Sequence, residues 1–434
     1  MKLAAALALA LANAAIANAN ALPWMENDLD AALARSAAEH KPVFVDVWAP
    51  WCHACLSMTE FVFADKSLGA YADKFVWLEM DTETPKAASF LARFTVDGWP
   101  TYLVLDAKGA VQDRALGSLS LPELTALLAR DSGGKALSAQ DGLLHEAVLA
   151  LAAGDAAGAE RKAMASLAAA KEPWGRRAEA LDLVVNSLAK RDLNGECALG
   201  AELVLPQLGR SDFALDAAVT GAGCAMKLDG KDARRGPRLT SLAAALEGVL
   251  AEPTKLAVDD RSDGWATLSE ARDALGDKAG ARAAMASRKA MLEKAAAAAK
   301  TPAARDVFEA HRVDTYLELG EPQAALPMLT QSEKDAPDDY NHPARMALVL
   351  LKLGKADAAL PEVERAIKLC QGPRLLRYYT LKADIEKARG DQAAEAEAVR
   401  QAKAAFDALP KEHQALAKRA MESLEKRLAA PAKS

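Results

Sequence analysis

The chain has 434 residues, 51% of them hydrophobic and 26% charged, with a formal net charge of −6. That composition is ordinary for a globular protein, and the length suggests two to three domains. The small negative charge and the absence of a basic run argue against nucleic acid as a partner.

The first segment, MKLAAALALALANAAIANANALPW, places Lys2 before an Ala/Leu run. Small-x-small triplets follow at Ala17-Asn18-Ala19 and Ala19-Asn20-Ala21. The pattern predicts a secretory signal peptide over residues 1–21, cleaved after Ala19 or Ala21. An amphipathic first helix is the competing reading, but Leu and Ala occupy all faces of it. No later apolar run approaches the roughly 20 residues needed to cross a bilayer, so no stable membrane anchor is expected. The mature protein should be periplasmic or secreted, where disulfides are permitted.

Residues 22–133 mix periodicities. Residues 27–40 predict a helix with Leu29, Ala32, Leu33 and Ala37 on one face. KPVFVDVWA, 41–49, is a near-continuous apolar run that predicts a central strand buried on both faces. Residues 75–81 predict another strand and 85–94 a helix; 101–106 and 110–116 predict a hairpin around Ala-Lys-Gly. Ser120 and Glu123 form a capping-box pattern that opens a last helix. Strands alternating with helices and ending in a hairpin argue for a mixed α/β sheet.

Between the central strand and the next helix stand Trp51-Cys52-His53-Ala54-Cys55. A thiolate at a helix N-terminus is stabilised by unsatisfied N–H groups and the helix dipole, which suits Cys52 to act as a nucleophile. Cys55, one turn on, shares its face and can resolve a mixed disulfide. Zinc would need a second ligand pair, and the six histidines do not cluster along the sequence. A c-type haem would need His where Leu56 stands. An inert structural disulfide is the other alternative; the strand–Cys-x-x-Cys–helix context favours redox chemistry.

FVDVWAPWCHAC together with GWPT, 98–101, resembles the active-site strand and cis-proline turn of thioredoxins, and 116–128 is similar to the end of that fold. The lead-in around Trp24, with Met58 and Phe61–Phe63, looks most like the exported subgroup that includes the C-terminal domain of the DsbD reductant conductor. The resemblance implies a redox-active Cys52–Cys55 disulfide and a proton relay from Asp46 to Cys55. It also implies a client groove lined by Trp51, Trp99, Pro100 and Thr101. An edge-strand Asp46 facing water and a core role for Trp99 are the competing readings. Where thioredoxins commonly carry a lysine near this aspartate, Trp77 stands, so the Asp46 pKa is expected to lie higher. His53 either stabilises the thiolate or points to solvent.

From about residue 140 to 430 the strands disappear. Ala- and Leu-rich helices alternate with short Gly/Asp turns, and Gly320, Gly354 and Gly390 lie 34 and 36 residues apart. Two helices per unit with that period is the tetratricopeptide signature, clearest over 305–410. The predicted class is therefore an α/β thioredoxin fold followed by an all-α TPR-like helical-hairpin solenoid. The helix at 411–430, with Ala417, Met421, Leu424 and Leu428 on one face, suits a polar cap. His311, His342 and His413 read as isolated surface residues. Cys197 and Cys224 are equidistant from the turn at 209–212 between two helices, so a structural disulfide across the open end of that hairpin is expected. Cys370 is then left as a core residue at a helix end.

The functional expectation is a thiol–disulfide oxidoreductase with protein clients. It needs no cofactor and no metal, because a partner dithiol donates or accepts the electrons. The repeats would hold a client or partner protein, or only support the redox domain. The alternative is a helical scaffold whose thioredoxin-like domain serves docking.

Overall fold

A computed structural model describes residues 22–132, 137–252 and 254–429. The expected signal peptide lies outside the described residues. Among those described, no helix is long and apolar enough to cross a membrane.

Five strands form one mixed sheet: β1 (Trp24–Glu26), β2 (Val43–Trp48), β3 (Val76–Asp81), β4 (Thr101–Leu105) and β5 (Val111–Leu116), in the order β1-β3-β2-β4-β5. β1 and β2 run parallel to β3, and β4 runs antiparallel to both β2 and β5. β2 is therefore central, as its apolar run demands, and Val43 to Val47 are buried without a break.

Helix α1 (Leu29–Glu39) starts at Asp28, whose side chain accepts the Ala31 N–H. It packs with the short α3 (Ala88–Leu91) on the sheet face of Val43, Val45 and Val47. The helix expected over 85–94 is a 3₁₀ turn (Pro85–Ala87) plus the four residues of α3. The other face, carrying Phe44, Trp77 and Tyr102, is covered by α4 (Leu121–Asp131) and by Met58 and Phe63. These two residues follow α2 (His53–Ser57), whose backbone continues into a wider π-helical turn over Met58–Val62. The Ser120–Glu123 capping box is formed.

Beyond this domain every described element is helical. The hairpin of α8 (Asn194–Leu208) and α9 (Asp212–Lys227) lies in the largest helical core, and Cys197 and Cys224 are bridged there with Cα atoms 6.1 Å apart. Cys370 is a buried free thiol. Gly320, Gly354 and Gly390 all take positive φ, 75°, 71° and 81°, where each chain reverses after a helix.

The helical array docks on the redox domain along nearly its whole length. His145, from α5 (Ala139–Ala152), meets Asp113 of β5 at 3.6 Å. Asp259 and Asp260 of α11 (Val258–Ala274) lie beside Ser57 and Ser118. Phe308 stacks on Phe61 with centroids 5.9 Å apart, and Leu56 packs with Leu292, Val307 and Phe308.

The terminal helix, α20 (Lys411–Ala429), buries Ala417, Met421 and Leu424. It also packs against α3 of the redox domain, and backbone groups of Thr82 and Thr84 meet His413. It is more than a cap. The three helical histidines are accordingly not surface residues: His311, His342 and His413 are all buried. Each is enclosed by an element distant in sequence, which a reading of its own helix could not supply.

Candidate functional site

Cys52 occupies the N-cap of α2, the turn being closed by its own N–H donating to Ala49 O at 3.0 Å. It is disulfide-bonded to Cys55, the Cα atoms 5.2 Å apart. The Cys55 backbone N–H donates to Cys52 Sγ at 3.0 Å, so a thiolate released there already has one donor. Cys55 is 1% exposed and Cys52 5%. Trp48, Trp51, Ala54 and Trp99 pack around the pair. The Trp99–Pro100 peptide is cis.

The two tryptophans meet edge to face, 5.0 Å apart. Trp99 Nε1–H donates to Thr82 Oγ1 at 2.9 Å, whose hydroxyl in turn donates to Trp48 O at 3.1 Å. Trp51 Nε1–H donates to Glu83 Oε1 at 2.8 Å. Both indoles are thereby fixed at the disulfide and half-buried. Thr101, on β4, is fully buried, with its hydroxyl donating to Gly98 O at 2.8 Å. It braces the proline turn from inside.

Asp46 lies on the central strand, opposite Glu79 of β3 and Tyr102 of β4. It alternates with Val45 and Val47, so it shares the face of Phe44 that Met58 and Phe63 cover. It is 5% exposed, and its Oδ1 has no hydrogen-bond partner. Burial, with a smaller contribution from the Glu79 charge, pushes its pKa up to about 8. Trp77 is fully buried and pairs with Phe44 across the ladder, so that position supplies no compensating cation. Asp46 can therefore hold a proton at neutral pH.

His53 does not face solvent alone. Its ring meets that of His311, from α14 (Glu309–Glu318), with centroids 3.9 Å apart. Its Nε2 lies 3.9 Å from Asp263 Oδ2 of α11. His53, Asp263 and His311 bring one ligand atom each within 4.8 Å, so these histidines do cluster in space. However, Arg288 Nη2 donates to His311 Nδ1 at 2.9 Å, and Ser262 Oγ is also 2.9 Å from that nitrogen. The Arg288 guanidinium already places a cation in this cluster, which counts against a second, metallic one. Burial, followed by the charge of His53, lowers the His311 pKa to about 3, which keeps its ring neutral.

Sequence reasoning missed the contribution of the helical array to this site. Asn341 opens α16 (Asn341–Lys352), and its Nδ2 donates to Pro50 O at 3.1 Å and to Asp339 Oδ1 at 2.8 Å. The Arg374 guanidinium lies 4.5 Å over the Trp51 ring. Its backbone N–H donates to Glu83 Oε2 at 2.8 Å. Glu83 is buried, and desolvation outweighs these bonds, raising its pKa to about 7. No signal within the 370–374 segment points to the redox domain.

Residues 24–107 match the family model described as Thioredoxin-like. The chain is 38% identical over 85 residues to the thiol:disulfide interchange protein DsbD of Cronobacter sakazakii, covering 19% of this chain and 14% of that one. Over 103 residues the chain is 26% identical to the protein of that name from Colwellia psychrerythraea, covering 23% and 17%. The chain thus matches 14% to 17% of the length of these curated relatives. Among solved structures it is similar to a tetratricopeptide repeat protein from Parabacteroides merdae, with 11% identity, a TM-score of 0.41, and coverage of 66% of this chain and 98% of that one. The N-terminal region is a thioredoxin-like domain, and the described elements that follow it are all helices.

Proposed function

We propose that this protein is an exported thiol–disulfide oxidoreductase, with Cys52 as nucleophile, Cys55 as resolving thiol and Asp46 as proton relay. The observation that carries the reading is the Cys52–Cys55 disulfide at the start of α2, in a domain whose central strand buries an aspartate able to hold a proton. Export accords with the N-terminal apolar run and with a second disulfide at Cys197–Cys224.

In the reducing direction, the Cys52 thiolate attacks one sulfur of a client disulfide. A mixed disulfide forms, the client S–S bond breaks, and the first client thiolate takes a proton from water. Cys55 gives its proton to ionised Asp46 and attacks Cys52 Sγ. The Cys52–Cys55 bond forms and the second client thiol departs, so two electrons have passed to the client. A partner dithiol restores the reduced pair. The turn ending in Pro100, with Trp51 and Trp99 beside it, holds the client segment.

The test is dithiothreitol-driven reduction of a disulfide substrate by the purified full chain. Cys52→Ser should abolish catalysis, and Cys55→Ala should accumulate a mixed disulfide. Undiminished turnover in Cys52→Ser would refute the assignment. A second reading, in which the redox domain only docks, draws on contacts that run from His145 to His413. It requires wild type and Cys52→Ser to be equally inactive.

A further inference from the structure

Three separate parts of the helical array converge on the turn Pro50–His53. Asn341 holds the Pro50 carbonyl, Arg374 covers the face of Trp51, and Asp263 with His311 flanks His53. Between them Cys52 is 5% exposed.

The residues that cover the turn are anchored by bonds of their own. Asn341 is fixed to Asp339, and the Arg374 backbone to Glu83, which also holds Trp51. His311 contacts Ser262 and Arg288, and Arg288 Nε donates to Ser262 Oγ at 2.8 Å. Behind them the Phe61–Phe308 stack and the packing of Leu56 fasten α2 to the array. The cover is a packed surface held from three sides.

Thiol–disulfide exchange needs the attacking sulfur to reach the target sulfur along the S–S axis. A folded client must bring its neighbouring surface with it, and a docked pair of proteins typically occupies several hundred Å² on each side of the contact. Around Cys52, Asn341, Arg374, Asp263 and His311 stand where part of such a surface would have to sit. A disulfide on a slender carrier needs far less room.

We propose that Arg374 and Asn341 are specificity-determining residues: they wall the Cys52 turn so that it exchanges with small-molecule disulfides or disulfides on short extended peptides, and rejects those on folded surfaces. This rests on the oxidoreductase reading above and narrows its substrate class. Two electrons pass from the Cys52–Cys55 dithiol to the slender disulfide, leaving two thiols and the Cys52–Cys55 bond.

The test uses the full chain, reduced with dithiothreitol and desalted. Its oxidation is followed by tryptophan fluorescence after mixing with oxidised glutathione, a short disulfide-linked peptide, or a folded protein bearing one accessible disulfide. Each rate is divided by that of dithiothreitol with the same disulfide. The folded substrate should be slower than the peptide by about ten-fold or more, within the range that pocket shape supplies. N341A/R374A should recover most of that factor, read as the ratio of the folded-substrate rate to the peptide rate within the variant. Circular dichroism checks its fold, and the single variants serve if the pair does not fold. Equal normalised rates for peptide and folded substrate in the wild type would overturn the proposal, as would a ratio unmoved in a folded variant. No exchange with any disulfide would instead refute the oxidoreductase reading itself.

Discussion

A carboxyl group on a central strand cannot ionise without losing most of its hydration, and Asp46 has no cation beside it to offset that loss. Its folded-state pKa, about 8, lies above the ordinary 3.8, so the folded state binds this proton more tightly than the unfolded chain does. The resulting stability is fully present below the unfolded value and is lost as pH rises through about 8. Relative to a side chain that never ionises, Asp46 costs about 4 kcal/mol at pH 7 and almost nothing near pH 3.5. Asp46→Asn should therefore raise stability to urea at pH 7 by a few kcal/mol and leave it nearly unchanged at pH 3.5. Resolution of the mixed disulfide should slow about 100-fold, because the proton acceptor is gone. A gain of equal size at both pH values would show that the variant acts through packing, and an unchanged resolution rate would remove Asp46 from the relay.

The α8–α9 hairpin carries its determinants within two adjacent helices. Its bridge encloses a sequence separation of 27 residues, so C197A/C224A should lower unfolding free energy by about 3 kcal/mol, read from denaturant midpoints. Close approach of the helices depends on Gly221, where an added Cβ would stand 2.4 Å from the Ala201 Cβ and 3.1 Å from Leu242 Cδ2. Neither helix can yield locally, so Gly221→Ala should destabilise by about 1–3 kcal/mol; a neutral or stabilising result would mean that the helices slide freely. This hairpin was legible in the sequence because its pattern is local: two apolar periods, a Gly/Ser turn, and cysteines equidistant from it. The sheet was legible for the same reason, through the Val-Phe-Val run, the hairpin turn and the Ser120–Glu123 cap. What stayed hidden spans elements. His311 finds Ser262 49 residues away, and His342 finds Glu309 at 2.9 Å from 33 residues away. Asn341 reaches Pro50 across 291. Periodicity within a helix says which face is apolar; it carries no information on which distant polar group a buried histidine or asparagine will satisfy.

At the scale of the whole molecule, the contact between redox domain and helices is rich in buried acids. Burial raises Glu83 to about 7 and Asp260 to about 8, and both sit where the two regions meet, Glu83 under Arg374 and Asp260 beside Ser118. Asp182, within the helices, is raised by burial to about 7, and Asp259 is also raised. Stability from Glu83, Asp182 and Asp260 is fully present below the ordinary carboxylate range and is lost progressively as pH climbs from there through 7 and 8. Opposite signs hold for Glu309, kept at about 2 by His342 and Arg345 despite its burial, and for His311, lowered to about 3. Glu309 loses its contribution as pH falls toward 2. The neutral His311 loses its contribution as pH falls from 6.5 toward 3. The raised carboxyls outnumber His311 above the ordinary carboxylate range, so the melting temperature should be highest near about pH 4 to 4.5, fall progressively above it, and be several degrees lower at pH 8.5 than at pH 5.5. Because Glu83 and Asp260 lie at the contact, the interface should loosen before either region unfolds. Hydrogen exchange of the Trp51–His53 amides and those of Gln371, Gly372 and Arg374 should then accelerate between pH 6 and 8.5 beyond the intrinsic rise, while the β2 and β4 amides stay protected. Asp260→Asn should shrink the drop in melting temperature. A melting temperature that is flat or rising from pH 5.5 to 8.5 would show that these carboxyls ionise without cost, and that the contact between the two regions is open to water.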